Sequence, residues 1–241
     1  MKEKEVGAIT IGTDLESSKR AVEIANRNEN IWACIGVHPA DNHTEIWNEA
    51  EFEKLIQHPK VVAIGECGLD FFRVKPEDLE NEKERQTKIF TQQIEFAIKH
   101  DKPLMLHCRN AYYEVLEILE QYQKDQSDTK EEKLRGDVHF FAGNIEQAKR
   151  FVDLGFTLSF TGVITFTHDY DEVIKSIPIK SIMSETDAPF VAPVPHRGKR
   201  NEPSYVVEVV KKLAEIRGED EEVLRLQILQ NAIKTFNLKI E

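Results

Sequence analysis

Short runs rich in β-branched and other apolar residues recur at Val6–Gly12, Ile31–Val37, Val61–Gly65, Pro103–His107, Asp137–Phe141, Thr157–Thr161 and Ser181–Ser184, which makes seven predicted strands. The segments between them carry a helical period. Phe90, Ile94, Ala97 and Ile98 fall at i, i+4, i+7 and i+8, and Tyr112, Val115, Leu116 and Leu119 at i, i+3, i+4 and i+7. Helix starts are signalled by a Thr13 to Glu16 capping box and by Asn144 with Gln147, where the first side chain accepts from an orphan amide and the second reaches back. Two amphipathic segments close the chain, one with Val206, Val209, Val210 and Leu213 on its apolar face, the other with Leu226, Leu229, Ile233 and Phe236.

Nearly continuous apolar strands that alternate with helices imply a parallel α/β sheet, because parallel neighbours need a crossover and the crossovers shield both faces. An open doubly wound sheet and a closed (β/α) barrel both satisfy this pattern. Seven strands are one fewer than a closed eight-stranded barrel requires. The charged stretch from Gln123 to Arg135, with Ser127, Asp128 and Thr129, reads as a helix end and surface loop, so residues 1–241 are expected to form one domain.

Composition narrows the chemistry. The 241 residues carry 32 Lys+Arg against 43 Asp+Glu, a net charge of -11, which excludes a protein holding nucleic acid by a broad basic surface. A local contact remains compatible. Apolar stretches are far too short to span a membrane, and Asp14 and Glu16 follow the first of them where a cleavage site would need small residues. The odd set of three cysteines, Cys34, Cys67 and Cys108, shows no CxxC spacing and fits a reducing, cytoplasmic setting. Each should pack as a small hydrophobe: Cys67 beside Glu66, and Cys108 beside His107, point to the opposite strand face from their neighbours.

Metal-capable side chains recur where the strands end: His38 after the second run, Glu66 after the third, His107 closing the fourth, His139 in the fifth and Asp187 after the seventh. In a barrel these ends share one mouth, where imidazoles and carboxylates suit a divalent ion such as Mg, Mn or Zn. Each residue alone has an ordinary structural role; their common position is the signal. His43, His58, His100 and His168 lack matching partners and are expected at the surface. The segment PVPHRGKRNEP, from Pro193 to Pro203, gathers His196, Arg197, Lys199 and Arg200 around Gly198 in an otherwise acidic chain. A solvated loop is one reading; cations able to hold phosphate oxygens, oriented by Glu202, are the other.

With GECGLDFFR (Gly65–Arg73), LHCR (Leu106–Arg109), HFFAG (His139–Gly143), ETDAPF (Glu185–Phe190) and PHRGKRNEP (Pro195–Pro203) quoted together, the chain resembles the TatD family of metal-dependent deoxyribonucleases. IGTDLESSKRAVEIA and IGVHP are similar to that family's second and third βα units. The resemblance implies a TIM-type (β/α) barrel of the amidohydrolase kind that removes nucleotides from DNA with one or two divalent ions. It implies Glu66 as a carboxylate bridging two metals, His107 and His139 as ligands completing one site, and Asp187 as a ligand of the other and the base for the attacking water. His38, Arg73, His196, Arg197 and Glu202 would line the substrate pocket.

The family's first strand carries an HxH pair, and no HxH occurs in this sequence, which starts at what resembles the second strand. Phe140 and Ala142 stand where the family usually has Cys and Ser, and Phe71 and Phe72 where it has Tyr. The first βα unit is therefore expected to be missing. A strand outside this chain, a partner chain or oligomer covering the barrel edge, or an open barrel of reduced function each accounts for that. Beside the nuclease stand two other readings: a noncatalytic or weakly active relative that serves as a metal-binding or scaffold protein, and a hydrolase of small cyclic amides or esters.

Overall fold

A computed structural model of the protein describes residues 6–41, 44–125 and 134–239. His43 and the Ser127–Thr129 stretch lie outside the described residues. The chain divides into two compact units, the first Ala8–Gly136 and the second built from Asp137 onward. Among the described residues no helix is long and apolar enough to cross a membrane.

The first unit contains β1 (Ala8–Ile11), α1 (Leu15–Asn26), β2 (Ile31–Ile35), α2 (Glu49–Ile56), β3 (Val61–Asp70), α3 (Leu79–Lys99), β4 (Leu104–Arg109) and α4 (Tyr112–Asp125). Its strands pair in chain order and all in parallel. A doubly wound sheet would reverse direction at a switch point, so the unbroken order is that of the barrel class. Ala33, Cys34 and Ile35 on β2, and Leu104 and Leu106 on β4, are buried among Phe90, Ile94, Phe96 and Ala97 of α3 and Val115, Leu116 and Leu119 of α4. The helical period predicted these helix faces.

The second unit holds α5 (Ile145–Asp153), β6 (Phe156–Phe160), α6 (Asp171–Ser176), β7 (Ile182–Ser184), α7 (Val206–Arg217) and α8 (Glu221–Phe236), with β5 (Gly136–Val138) at its start. Every residue of β6 is buried, and β6 pairs in parallel with β7.

Three local expectations need correcting. The α1 cap is Asp14 with Ser17, one residue on from the Thr13 to Glu16 box: Ser17 N–H donates to Asp14 Oδ1 at 2.6 Å, and Ser17 Oγ accepts from the amides of Asp14 and Thr13. The Asn144–Gln147 box forms as expected. On α8, Leu224, Ile228 and Phe236 are buried, whereas Leu226 and Leu229 are exposed. The cause is polar. Asn231 sits on the buried face, where its amide donates to the carbonyls of Ile179 and Ile182, and this rotates the leucine stripe outward. Finally, His168 is exposed, but His58 and His100 are half-buried, and His100 Nε2 lies 3.0 Å from Glu53 with its ring 4.4 Å from that of Phe96.

Candidate metal centre

The site in the first unit depends on a strand that continues where the sequence pattern stops. β3 runs to Asp70, past the expected end at Gly65, and its register against β4 shifts between Ile64 and Cys67. Two glycines permit this. Gly65 (φ +150°) and Gly68 (φ +139°) lie so close to β4 that a Cβ would come within 2.4 Å of the Met105 carbonyl oxygen and 2.0 Å of that of His107. No other residue fits. Glu66 therefore lies within β3, not beyond it, and faces His107 on β4. Cys67, on the opposite face, is fully buried with its thiol toward the carbonyls of Ile64 and Met105. Burial drives its pKa far up, so it stays a thiol at neutral pH.

His107 is held at both ring nitrogens, with Nδ1 2.8 Å from Glu66 Oε1 and Nε2 2.9 Å from Asp70 Oδ2. Burial opposes a charged ring here, yet the bonds to Asp70 and Glu66 outweigh it and push the pKa up to about 9. Burial likewise works against an ionised Asp70, but the His107 bond and the Phe72 N–H, which donates to Asp70 Oδ1 at 2.9 Å, hold its pKa below the usual carboxylate range. His38 completes the group. It is 8% exposed, its ring stands edge-on to His107 at 4.4 Å between centroids, and its Nε2 lies 3.6 Å from Glu66 Oε1. On its other side Nδ1 is 3.0 Å from Asp41 Oδ1, a bond that lowers the Asp41 pKa.

One donor atom each from His38, Glu66 and His107 lies within 4.8 Å of the others. Two imidazoles and a carboxylate at that spacing fit a divalent ion. Each imidazole also has a carboxylate behind it, Asp41 for His38 and Asp70 for His107, an arrangement that fixes ring orientation and tautomer in metal sites. His38, expected in the substrate pocket, thus stands in the donor cluster. Asp70 had no role in the sequence reading.

In the second unit His139 is one residue beyond β5, not inside a strand as expected. Its Nδ1 lies 2.7 Å from Glu185 Oε2, while Glu185 Oε1 accepts the Phe140 N–H at 2.7 Å. Asp187 adopts a left-handed backbone (φ +54°), a conformation Asp tolerates better than most residues. Asn201 clamps the loop that carries it: its buried amide donates to the carbonyls of Thr186 and Phe190, both at 2.6 Å. His196 is half-buried and stacks on Tyr205 at 3.7 Å, exposed Arg197 lies 3.6 Å over the Phe166 ring, and Lys199, Arg200 and Glu202 are exposed. Arg73, in the first unit, is also exposed. Glu185 and Asn201 were missed by sequence reasoning. The ETDAPF motif contains Glu185 but gives no hint of its reach back to His139.

The family model of TatD related DNases matches residues 1–237. The chain is 36% identical over 241 residues to the uncharacterized metal-dependent hydrolase YabD of Bacillus subtilis (strain 168), covering 98% of this chain and 89% of that protein. It is 35% identical over 237 residues to the 3'-5' ssDNA/RNA exonuclease TatD of Cronobacter sakazakii, covering 93% and 84%. Among solved structures it is similar to YJJV, a TatD homolog from Escherichia coli k12, with a TM-score of 0.84 at 28% identity, covering 98% of this chain and 89% of that one. The α/β architecture is accordingly the TIM-type fold that the resemblance implies.

Proposed function

We propose that this chain, which belongs to the TatD-related DNase family and is a metal-dependent hydrolase, cleaves phosphodiester bonds of DNA and trims nucleotides from its ends. The observation that carries this reading is the His38–Glu66–His107 donor cluster, which suits a divalent ion in a chain that otherwise resembles nucleases. Glu66 and His107 are assigned as ligands in the first unit, with His38 beside them, and His139 and Asp187 as ligands in the second. A bound divalent ion supplies Lewis-acid polarisation of a phosphoryl oxygen and lowers the pKa of water.

The chain's own groups do the rest. Asp70 keeps a proton on His107 Nε2, which leaves the lone pair of Nδ1, on the side of Glu66, to bind an ion. Asp187 accepts the proton of the attacking water, and the clamp by Asn201 fixes its loop. Arg73, His196 and Arg197 hold phosphate oxygens, with Glu202 orienting the cations. The half-buried edge strand β1 is where a partner chain would pair, and a reducing cytoplasm suits the three free cysteines.

Release of nucleotides from DNA, measured with Mg, Mn or Zn and with a chelator, tests this reading. Chelation should abolish release, and Glu66→Ala and Asp187→Ala should each lower it by about 10²-fold or more. Equal residual release by the wild type and both variants would overturn it in favour of a noncatalytic, metal-binding relative. Loss of DNA cleavage but not of small-ester hydrolysis on substitution of Arg197 separates a nuclease from a hydrolase of small esters.

A further inference from the structure

Beside the donor cluster the first unit exposes an aromatic ring that its folding does not require. Phe72 follows directly on the end of β3 and is 50% exposed, whereas its neighbour Phe71 is buried. The guanidinium of Arg109, the exposed last residue of β4, lies 3.6 Å over the Phe72 ring. The pair is tied to the cluster through a single carboxylate: Asp70 Oδ1 accepts the Phe72 N–H at 2.9 Å, and Asp70 Oδ2 binds His107 Nε2 at 2.9 Å. The Phe71 N–H, donating to the Arg109 carbonyl at 2.9 Å, fixes the turn against β4. Phe72 is therefore held by the same side chain that orients the donor His107, and Arg109 lies against the Phe72 ring.

An exposed Phe costs solubility and contributes little to the core. A planar guanidinium stacked on a ring, next to a site for phosphodiesters, matches what unpaired nucleobases stack on in single-strand binding proteins. We propose that Phe72 and Arg109 form a stacking subsite for the nucleobase adjoining the scissile phosphate, making them specificity-determining residues for base-bearing over baseless substrates. This deepens the nuclease reading and rests on it. The base lies against the ring or the guanidinium face, and Arg109 keeps N–H groups for the neighbouring phosphate. A base inside a duplex cannot reach such a surface, so the subsite engages an unpaired terminal nucleotide.

The test uses the whole chain and a short single-stranded oligonucleotide with a fluorescent base analogue at one end or the other. Quenching is titrated with magnesium and with chelator, and nucleotide release is followed on the same strand and on one whose terminal nucleotides are abasic. Wild type should quench the analogue at one end and cut the base-bearing strand faster than the abasic one. Phe72→Ala and Arg109→Gln should weaken binding about 5- to 100-fold, the range for loss of a stacked base. Both should remove the preference for the base-bearing strand, and Arg109→Gln should also slow cutting of the abasic strand, because it removes the phosphate contact as well. Phe72→Tyr, which keeps a stacking face, should behave as wild type. Hydrolysis by the wild type with Phe72→Ala unchanged on both strands would overturn the subsite and leave the nuclease reading intact. Quenching that Phe72→Ala removes, without release of nucleotides in any metal, would sustain the subsite and overturn hydrolysis; no quenching by the wild type in either condition would overturn the subsite.

Discussion

The two units handle buried acid in opposite ways. In the first, Glu66 and Asp70 share one imidazole, so burial is offset by a cation and His107 is driven toward its charged form. In the second, Asp137 on β5 is 1% exposed and accepts from the hydroxyls of Thr157 and Ser159. Burial, with Glu185 nearby, pushes its pKa up to about 7, against the hydroxyl bonds that favour its ionised form. An acid balanced by a histidine is ready to exchange a proton for a metal ion. An acid kept half-neutral at the base of a strand serves the fold. Similar residue types at neighbouring strand positions thus have different roles, and the polar partner decides which.

The largest expected effect breaks this comparison at Asp137. Both Asp137 and His107 have folded pKa values raised above their unfolded ones, so each contributes stability that is present at low pH and lost as pH rises through the folded value. For Asp137 the loss runs from about 3.8 to about 7; for His107 in the chelated protein it runs from about 6.5 to about 9. Denaturation followed against pH in chelator should therefore fall in two successive windows. Asp137→Asn should erase the lower window only, so that its stability relative to wild type improves as pH rises through about 7. A wild type whose stability rises between pH 5 and 7 would contradict the assignment of Asp137 as the neutralised acid.

Next in size is Asn201→Ala, which leaves the Thr186 and Phe190 carbonyls without their buried donor. The expected cost is about 2–4 kcal/mol by denaturant titration. Activity should fall further than stability explains, because Asp187 is carried between those carbonyls. Asp70→Asn comes third. It removes the carboxylate behind His107, and divalent-ion affinity measured by calorimetry should weaken about 10- to 100-fold, with the fold retained. Unchanged affinity would mean that Asp70 serves the Phe72 turn alone.

The sequence pattern made the strands legible because each is a nearly continuous apolar run, and the helices because α3 and α4 keep one buried stripe. Glu66 and His107 stood out as polar side chains where such runs end. Asp70 did not, because the expected strand stopped at Gly65, and only the close approach of Gly65 and Gly68 to β4 explains why it continues. The Glu185 contact to His139 and the Asn201 contacts across its loop join residues far apart in sequence, and neither has a periodic signature. The strand order of each unit supports the barrel class, a choice that counting seven strands left open.

The smallest expected effect concerns α8, where residue periodicity suggested the wrong face. Of the predicted stripe, Leu226 and Leu229 are 44% and 41% exposed and Phe236 is buried, while Leu224 and Ile228 are buried on the side fixed by Asn231. An apolar period says that a face exists, and one buried amide with two carbonyls to satisfy decides which face turns inward, because leaving those carbonyls unpaired costs more than exposing a leucine. Leu226→Lys should accordingly change stability by no more than about 0.5 kcal/mol, whereas Leu224→Ala should cost about 2–5 kcal/mol. Thermal denaturation of the two variants in parallel checks this ordering; a Leu226→Lys protein as unstable as Leu224→Ala would show the helix packed by its leucine stripe and the Asn231 bonds subordinate to it.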